Sequence, residues 1–302
     1  MKKVLITGAT GLIGQELVSL CHENNIEVNY LTSRKSKVVK NANYSGFYWD
    51  IDNHEIDKAC FEGVDTIINL VGASISERWT TSYKSEIISS RVDSLQLIFE
   101  TLNKTKHTVT QIISASAIGF YPSSLTHYYN EDFDKVNPNF LGEVVEQWEA
   151  AVDEFKSLNI TVSKIRIGLV LSSKGGVLEK IVKPVKVGAG AAFGDGKQWQ
   201  SWIHIRDLVK LFLHVKNYKL EGVYNGVSPN PVSNKVFTKA IATTLNKPLV
   251  LPNIPKFAMK LALGEMHQIL FESQRVDSSK IVNKGFNFEF PNLEPALEDL
   301  LN

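Results

Sequence analysis

Cysteine is nearly absent: the 302 residues hold two, Cys21 and Cys60, and neither sits in a Cys-x-x-Cys pair. A disulfide framework is thereby excluded. Each thiol is expected to be an inert, partly buried small hydrophobe in a reducing cytoplasm. Charge of one sign is also lacking: 33 Lys+Arg against 32 Asp+Glu leave +1, so there is no global footprint for nucleic acid. No stretch approaches the roughly 18 uninterrupted apolar residues of a membrane helix. Met1-Lys2-Lys3 runs into only four apolar or small residues before a glycine-rich turn, so no signal peptide is expected. His204 has no companion at metal-ligand spacing, and no metal is expected. What is present is 43% apolar residues in a chain long enough to bury a core unaided. At about 150 residues per domain, the length fits one large domain or two ordinary ones.

Short apolar runs alternate with longer helical patterns through the first half, which predicts a doubly wound parallel sheet, the Rossmann class of α/β fold. Strands are expected at Val4–Thr7, Glu27–Leu31, Gly46–Trp49, Thr66–Val71, Val109–Ser114 and Thr161–Ile167. Apolar stripes of helical period run through Tyr83–Leu102 and Glu143–Leu158. After Leu171 the rhythm changes: Gly175–Gly196 is glycine-rich, Trp202–Lys216 reads as strand and helix, and prolines cluster from Pro229 to Pro255. The expected division is a nucleotide-binding part at 1–171, rejoined by 203–228. A smaller α+β substrate part at 172–202 and 229–302 would close over the carboxyl ends of the sheet.

Val4-Leu-Ile-Thr-Gly8-Ala-Thr-Gly11-Leu-Ile-Gly14 is a strand, a Gly-x-x-Gly-x-x-Gly turn and an amphipathic helix start. Glycine is needed where the turn is tight, where backbone approaches a pyrophosphate, and where helix packs on strand. Free N–H groups and the positive dipole end of the helix then face the diphosphate. Gly8, Thr10, Gly11, Leu12, Ile13 and Gly14 are the expected cradle. The second strand ends at Leu31-Thr-Ser-Arg34 with no acidic residue for ribose hydroxyls. Ser33 and Arg34 instead suit a 2′-phosphate, which predicts NADP(H) over NAD(H); a plain solvated basic loop is the other reading. Asp50 either meets the adenine amine or is a surface turn residue.

At this point the sequence resembles the extended short-chain dehydrogenase/reductase superfamily, and more closely its "epimerase family" proteins with a small C-terminal domain. The resemblance rests on Thr7–Gly14, Asn69-Leu-Val-Gly-Ala73, Arg78-Trp-Thr80, Ser90-Arg-Val92 and Ser114-Ala-Ser-Ala-Ile-Gly-Phe-Tyr121. Further along it rests on Asn139-Phe-Leu-Gly-Glu-Val144 with Trp148-Glu149, Arg166-Ile-Gly-Leu-Val-Leu171, Gly194-Asp-Gly-Lys-Gln-Trp199, Ser201-Trp-Ile-His204, Gly222-Val-Tyr-Asn225 and Gly285-Phe-Asn-Phe288. It implies a Rossmann fold and a nicotinamide cofactor, with Val71, Gly72 and Arg166 beside it, and carries no reaction with it.

The superfamily's active site implies a serine after the fifth strand and a Tyr-x-x-x-Lys on the next helix, where the lysine lowers the tyrosine pKa. Ser116 falls on the serine position, either to bond a substrate carbonyl or to cap backbone. No Tyr is followed by Lys four residues later between Ser116 and Leu158. The expected register puts Phe140 and Val144 there instead, with Arg91 replacing the assisting asparagine. Tyr121 is the first substitute acid or else a pocket wall, and Glu143 is a second or else serves the helix dipole. Lys84 points to the cleft or to solvent. Gln198, Trp199 and Trp202 suit a substrate pocket, core packing being the alternative for the tryptophans. Asp207 is expected to cap the following helix. Two functions follow: an NADP(H)-dependent oxidoreductase or epimerase-like enzyme of atypical mechanism on an unknown small molecule, or a non-catalytic NADP(H)-binding redox sensor. A monomer or a homodimer fits either, since both helical stripes suffice to cover the sheet.

Overall fold

Near-continuous apolar runs, rather than strict alternation, mark strands covered on both faces. In the computed structural model, which describes residues 2–302, these runs become β1 (Lys3–Thr7), β2 (Glu27–Thr32), β3 (Tyr44–Asp50), β4 (Glu55–Ile56), β5 (Thr66–Asn69) and β6 (Gln111–Ala117). There follow β7 (Tyr128–Tyr129), β8 (Thr161–Ile167), β9 (Leu169–Leu171), β10 (Trp199–Gln200), β11 (Trp202–His204), β12 (Gly222–Gly226), β13 (Val232–Ser233) and β14 (Arg275–Val276). Eight strands form one sheet in the order β12-β8-β6-β5-β1-β2-β3-β4, parallel except for the antiparallel β3–β4 edge. The doubly wound fold is the one expected. The chain runs outward from β1 to β3, then returns to β5 on the other side of β1. The loops after β1 and β5 therefore part, and a crevice opens at their carboxyl ends.

Helices α1 (Leu12–Glu23), α2 (Thr81–Asn103), α3 (Phe140–Asp153), α4 (Val177–Lys186) and α5 (Ile205–Asn217) come first. They are followed by α6 (Asn234–Thr244), α7 (Lys256–Leu263), α8 (Gln268–Phe271), α9 (Ser279–Asn283) and α10 (Leu293–Leu301). α1 packs with α5 and α2 with α3, so the sheet is covered by two helix pairs. α3 begins earlier than its apolar stripe suggests. Asn139 caps it, accepting from the Leu141 and Gly142 N–H groups at 3.0 and 3.2 Å, and its last turn tightens into the 3₁₀ segment Glu154–Leu158.

A second buried cluster joins Leu171, Leu178, Trp202, Phe237 and Leu297 beside the small sheets β9–β11 and β10–β13. The cap expected of Asp207 falls elsewhere: His204 Nδ1 accepts from the Arg206 N–H at 3.1 Å. The Asp207 carboxylate, fully buried, instead accepts from the Glu289 and Phe290 N–H groups at 2.8 and 2.9 Å. It latches the C-terminal segment to α5. Both cysteines are free and buried, and burial pushes the Cys21 thiol up to about 12. Among the described residues no helix is long and apolar enough to cross a membrane.

Candidate functional site

The glycine turn after β1 is held by backbone that leaves no room for side chains at two of its three glycines. Gly8 has φ +71°, and a Cβ there would stand 3.0 Å from the Leu70 carbonyl. A Cβ on Gly14 would come within 2.2 Å of the Gly8 oxygen, so α1 presses directly on the turn. Gly11 differs: its φ is −80°, and a Cβ would meet only the Gly8 oxygen, at 3.2 Å. The space over Gly11 is open. No side chain caps α1 and no acidic residue stands in its first turn, so its N–H groups face that space. The Gln15 side-chain amide ties the turn by donating to the Thr10 carbonyl at 2.9 Å.

A chain of buried bonds sets the neighbouring strand ends. Thr7 Oγ1 donates to Asn69 Oδ1 (2.7 Å), and Asn69 Nδ2 donates to Ser114 Oγ (2.9 Å), joining β1, β5 and β6. Beyond Ser114, Ser116 Oγ donates to Glu149 Oε1 at 2.6 Å. Arg166 grips the same carboxylate in two places, Nε to Oε1 at 2.8 Å and Nη2 to Oε2 at 2.9 Å, with its plane 3.4 Å over the Phe120 ring. Arg166 is therefore an internal partner of Glu149, with its Nη1 left without a hydrogen-bond partner among the described residues.

Ser116 opens onto a cleft of about 340 Å³ that also takes in Ile13, Leu70, Arg91, Trp199 and Glu272. The serine proton is engaged with Glu149, so its oxygen offers the cleft a lone pair. Arg91 and Trp148 both line the cleft, and Arg91 Nε and the Trp148 indole N–H are buried without an acceptor among the described residues. Arg91 lies over the Trp148 ring at 4.9 Å, and burial pulls its pKa down to about 10, so it is charged at neutral pH. Gly72 accommodates it: a Cβ there would stand 2.8 Å from the guanidinium carbon. The side of α3 facing the cleft is Leu141, Val144, Val145 and Trp148. Of the expected register, Val144 lines the cleft, while Phe140 lies against Trp79 and the Lys84 ammonium.

Several expected site residues lie outside this cleft. Tyr121 is 0% exposed; its hydroxyl donates to Asn225 Oδ1 at 2.8 Å, its ring stacks on Tyr129, and burial pushes its phenol up to about 12. It is a core residue and does not line the cleft. Glu143 is exposed in the first turn of α3 and shares a surface hollow with Lys84, which pairs with Glu265. Asp50 ties its own turn, accepting from Tyr48 Oη (3.1 Å) and Asn53 Nδ2 (3.0 Å). Gln198 donates to the Phe193 and Leu270 carbonyls, and Trp202 is fully buried with its indole N–H on the Asn230 carbonyl. Trp199 alone of the expected pocket residues lines the cleft. Leu70, rather than its neighbour Val71, lines it from the loop just after β5. Ser33 and Arg34 are exposed beyond β2, and Arg34 forms no ion pair among the described residues.

Sequence reasoning missed Glu272, Gln274 and Gln200, which complete the polar side of the cleft. Glu272 is held by Asn139 Nδ2 at 2.9 Å and Asn137 Nδ2 at 3.4 Å. Burial raises its carboxyl above the ordinary value, against the lowering effect of those amides. The polar run Glu272–Arg275 after an apolar helix was the available signal.

The sheet order, the glycine turn and the crevice define a Rossmann-type α/β protein. The model of the NAD dependent epimerase/dehydratase family matches residues 4–226, and that of a domain of unknown function (DUF1731) matches residues 254–300. The chain belongs to the NAD dependent epimerase/dehydratase family. It is 35% identical to an epimerase family protein of Staphylococcus haemolyticus, covering 100% of both chains. It superposes on the human epimerase family protein SDR39U1, crystallised with NADPH, with TM-score 0.86 and 26% identity over 99% of this chain and 98% of that one. A nucleoside-diphosphate sugar epimerase of Corynebacterium glutamicum gives TM-score 0.79 and 27% identity over 99% of this chain and 58% of that one.

Proposed function

We propose that this protein is an NADP(H)-dependent oxidoreductase of atypical short-chain type, working on a small molecule in the Ser116 cleft. The observations that carry the reading are the open space over Gly11 and a cleft, reached by Ile13 of the same turn-helix unit, whose residues Arg91 and Trp148 hold donors without a partner among the described residues. A dinucleotide fits those features: the turn from Gly8 to Gly14 would hold its diphosphate, and Val71 and Gly72 would border it. Ser33 and Arg34 would hold a 2′-phosphate, a role supported by the missing acid after β2, the unpaired arginine and the NADPH in the human relative. When bound, the nicotinamide supplies or accepts a hydride. Residues 1–171 with 203–228 then form the nucleotide-binding part, and 172–202 with 229–302 the substrate part. Free, buried cysteines support a cytoplasmic setting.

NADPH should raise the melting temperature more than NADH at equal concentration, through linkage. Arg34→Ala should remove most of the difference and weaken NADPH binding about tenfold, the scale of a charge-assisted pair. Equal stabilisation of the wild type by both nucleotides removes the 2′-phosphate role.

In this reading the proton comes from Glu272. Its raised pKa keeps more of the acid form at mildly acidic pH, and the Asn137 and Asn139 amides fix its direction. Because reduction uses the acid form, turnover should fall as pH rises through that raised value. Glu272→Gln should cost about 10²–10⁴ in rate and flatten this limb of the profile, followed as NADPH absorbance loss across aldehydes, ketones and quinones. A wild-type profile retained in Glu272→Gln rejects it as donor. The sensor reading is favoured by one observation, the apolar cleft side of α3. Tight NADPH binding with no turnover across the panel would select it.

A further inference from the structure

Next to the cleft lies a second cavity of about 380 Å³, walled by α4, α6 and the segment around α7. Leu169, Gln200 and Ile269 line both spaces, so the two adjoin along one wall. The cavity is within the size range of about 300–1,000 Å³ used for small ligands. Its lining is dominated by Ile181, Val185, Phe193, Leu263 and Met266. Lys180 is the one charged residue among the described lining residues, and it is exposed. The Asn234 side-chain oxygen is already taken by the Phe193 N–H at 2.9 Å. Gly190 keeps the wall close: a Cβ there would stand 2.6 Å from Val185 Cγ2 and 2.9 Å from Leu249 Cδ2.

A nucleoside diphosphate needs several cations or N–H donors around its phosphates. One exposed lysine does not supply them, and the apolar wall favours hydrocarbon. We infer that this cavity receives the apolar tail of an uncharged, elongated aliphatic carbonyl or alcohol whose reacting carbon stands in the Ser116 cleft. The inference rests on the oxidoreductase reading for what happens in the cleft, but the cavity is measurable without it.

Calorimetric titration tests it with 2-decanone, 2-butanone and UDP-glucose as probes, on the full chain with and without NADPH. 2-Decanone should bind more than about 100-fold more tightly than 2-butanone, since each added methylene in an apolar pocket is worth about tenfold or more. UDP-glucose should give no heat of binding. Ala191→Trp, which puts an indole into the cavity, should weaken 2-decanone at least about tenfold with NADPH affinity kept. Thr238→Phe serves the same purpose from the α6 wall should the first variant not fold. Equal affinity for the two ketones, binding of UDP-glucose, or unchanged 2-decanone binding in a folded filled variant would overturn the assignment. Failure of the wild type to bind NADPH would defeat the cofactor reading alone, because the nucleotide-free titration reports the cavity by itself.

Discussion

Gly11→Val should weaken NADPH binding by about 100-fold or more, roughly 2.7 kcal/mol, with the nucleotide-free protein folding as before. The two halves of that result have separate causes. Gly11 has an ordinary negative φ and extended ψ, which valine adopts freely. A Cβ there meets only the Gly8 oxygen at 3.2 Å, which a small shift relieves. The valine methyl groups would then occupy the space that a diphosphate needs to reach the N–H groups of α1. Its neighbours do not allow such a clean separation. Substitution at Gly14 would drive a side chain into the Gly8 and Ala9 backbone, and at Gly8 would also force a positive φ. Isothermal titration with NADPH, paired with thermal melts, reads both halves. Unchanged NADPH affinity in Gly11→Val means the turn has no cofactor role.

Glu149→Ala should lower stability by about 3–5 kcal/mol, the cost of leaving a buried charge without its partner. Glu149 and Arg166 side chains are 9% and 5% exposed, and the carboxylate also receives the Ser116 hydroxyl. Removing it strands the guanidinium between β8 and the Phe120 ring. The paired replacement Glu149→Met with Arg166→Leu should recover most of the loss, because both charges go together. Urea denaturation midpoints measure this. A single-variant loss below about 1 kcal/mol would show that water reaches the pair, since exposed ion pairs contribute only that much.

How much of this was legible in the sequence depends on how local the physics is. The Gly8–Gly14 turn was readable because tight turning and helix–strand contact are decided within a few residues. The strands were readable as apolar runs, although β5 ends at Asn69 and β6 runs on to Ala117, boundaries set by pairing partners rather than composition. The site beyond the turn was less legible. Tyr121 follows Ser116 closely, but the 3₁₀ turn Ile118–Phe120 between them sends its ring into the core. Residue type also misled: Trp202 and Gln198 suit a pocket, yet serve packing and backbone bonding. Glu272 was missed because only the closed fold carries the C-terminal segment back to Ser116.

The order of strands along the chain has a consequence for biosynthesis. The outer strand β12 pairs with β8 only after residue 226 has been made, and Asp207 finds its partners only when Glu289 and Phe290 emerge. At about 5–20 residues per second, the interval between β8 and the C-terminal latch is on the order of ten seconds. Until residue 226 has been made, the nascent chain presents the open side of β8, with unsatisfied N–H and C=O groups. An unpaired β8 is a template for pairing with another chain, and β12 removes that template by occupying the edge.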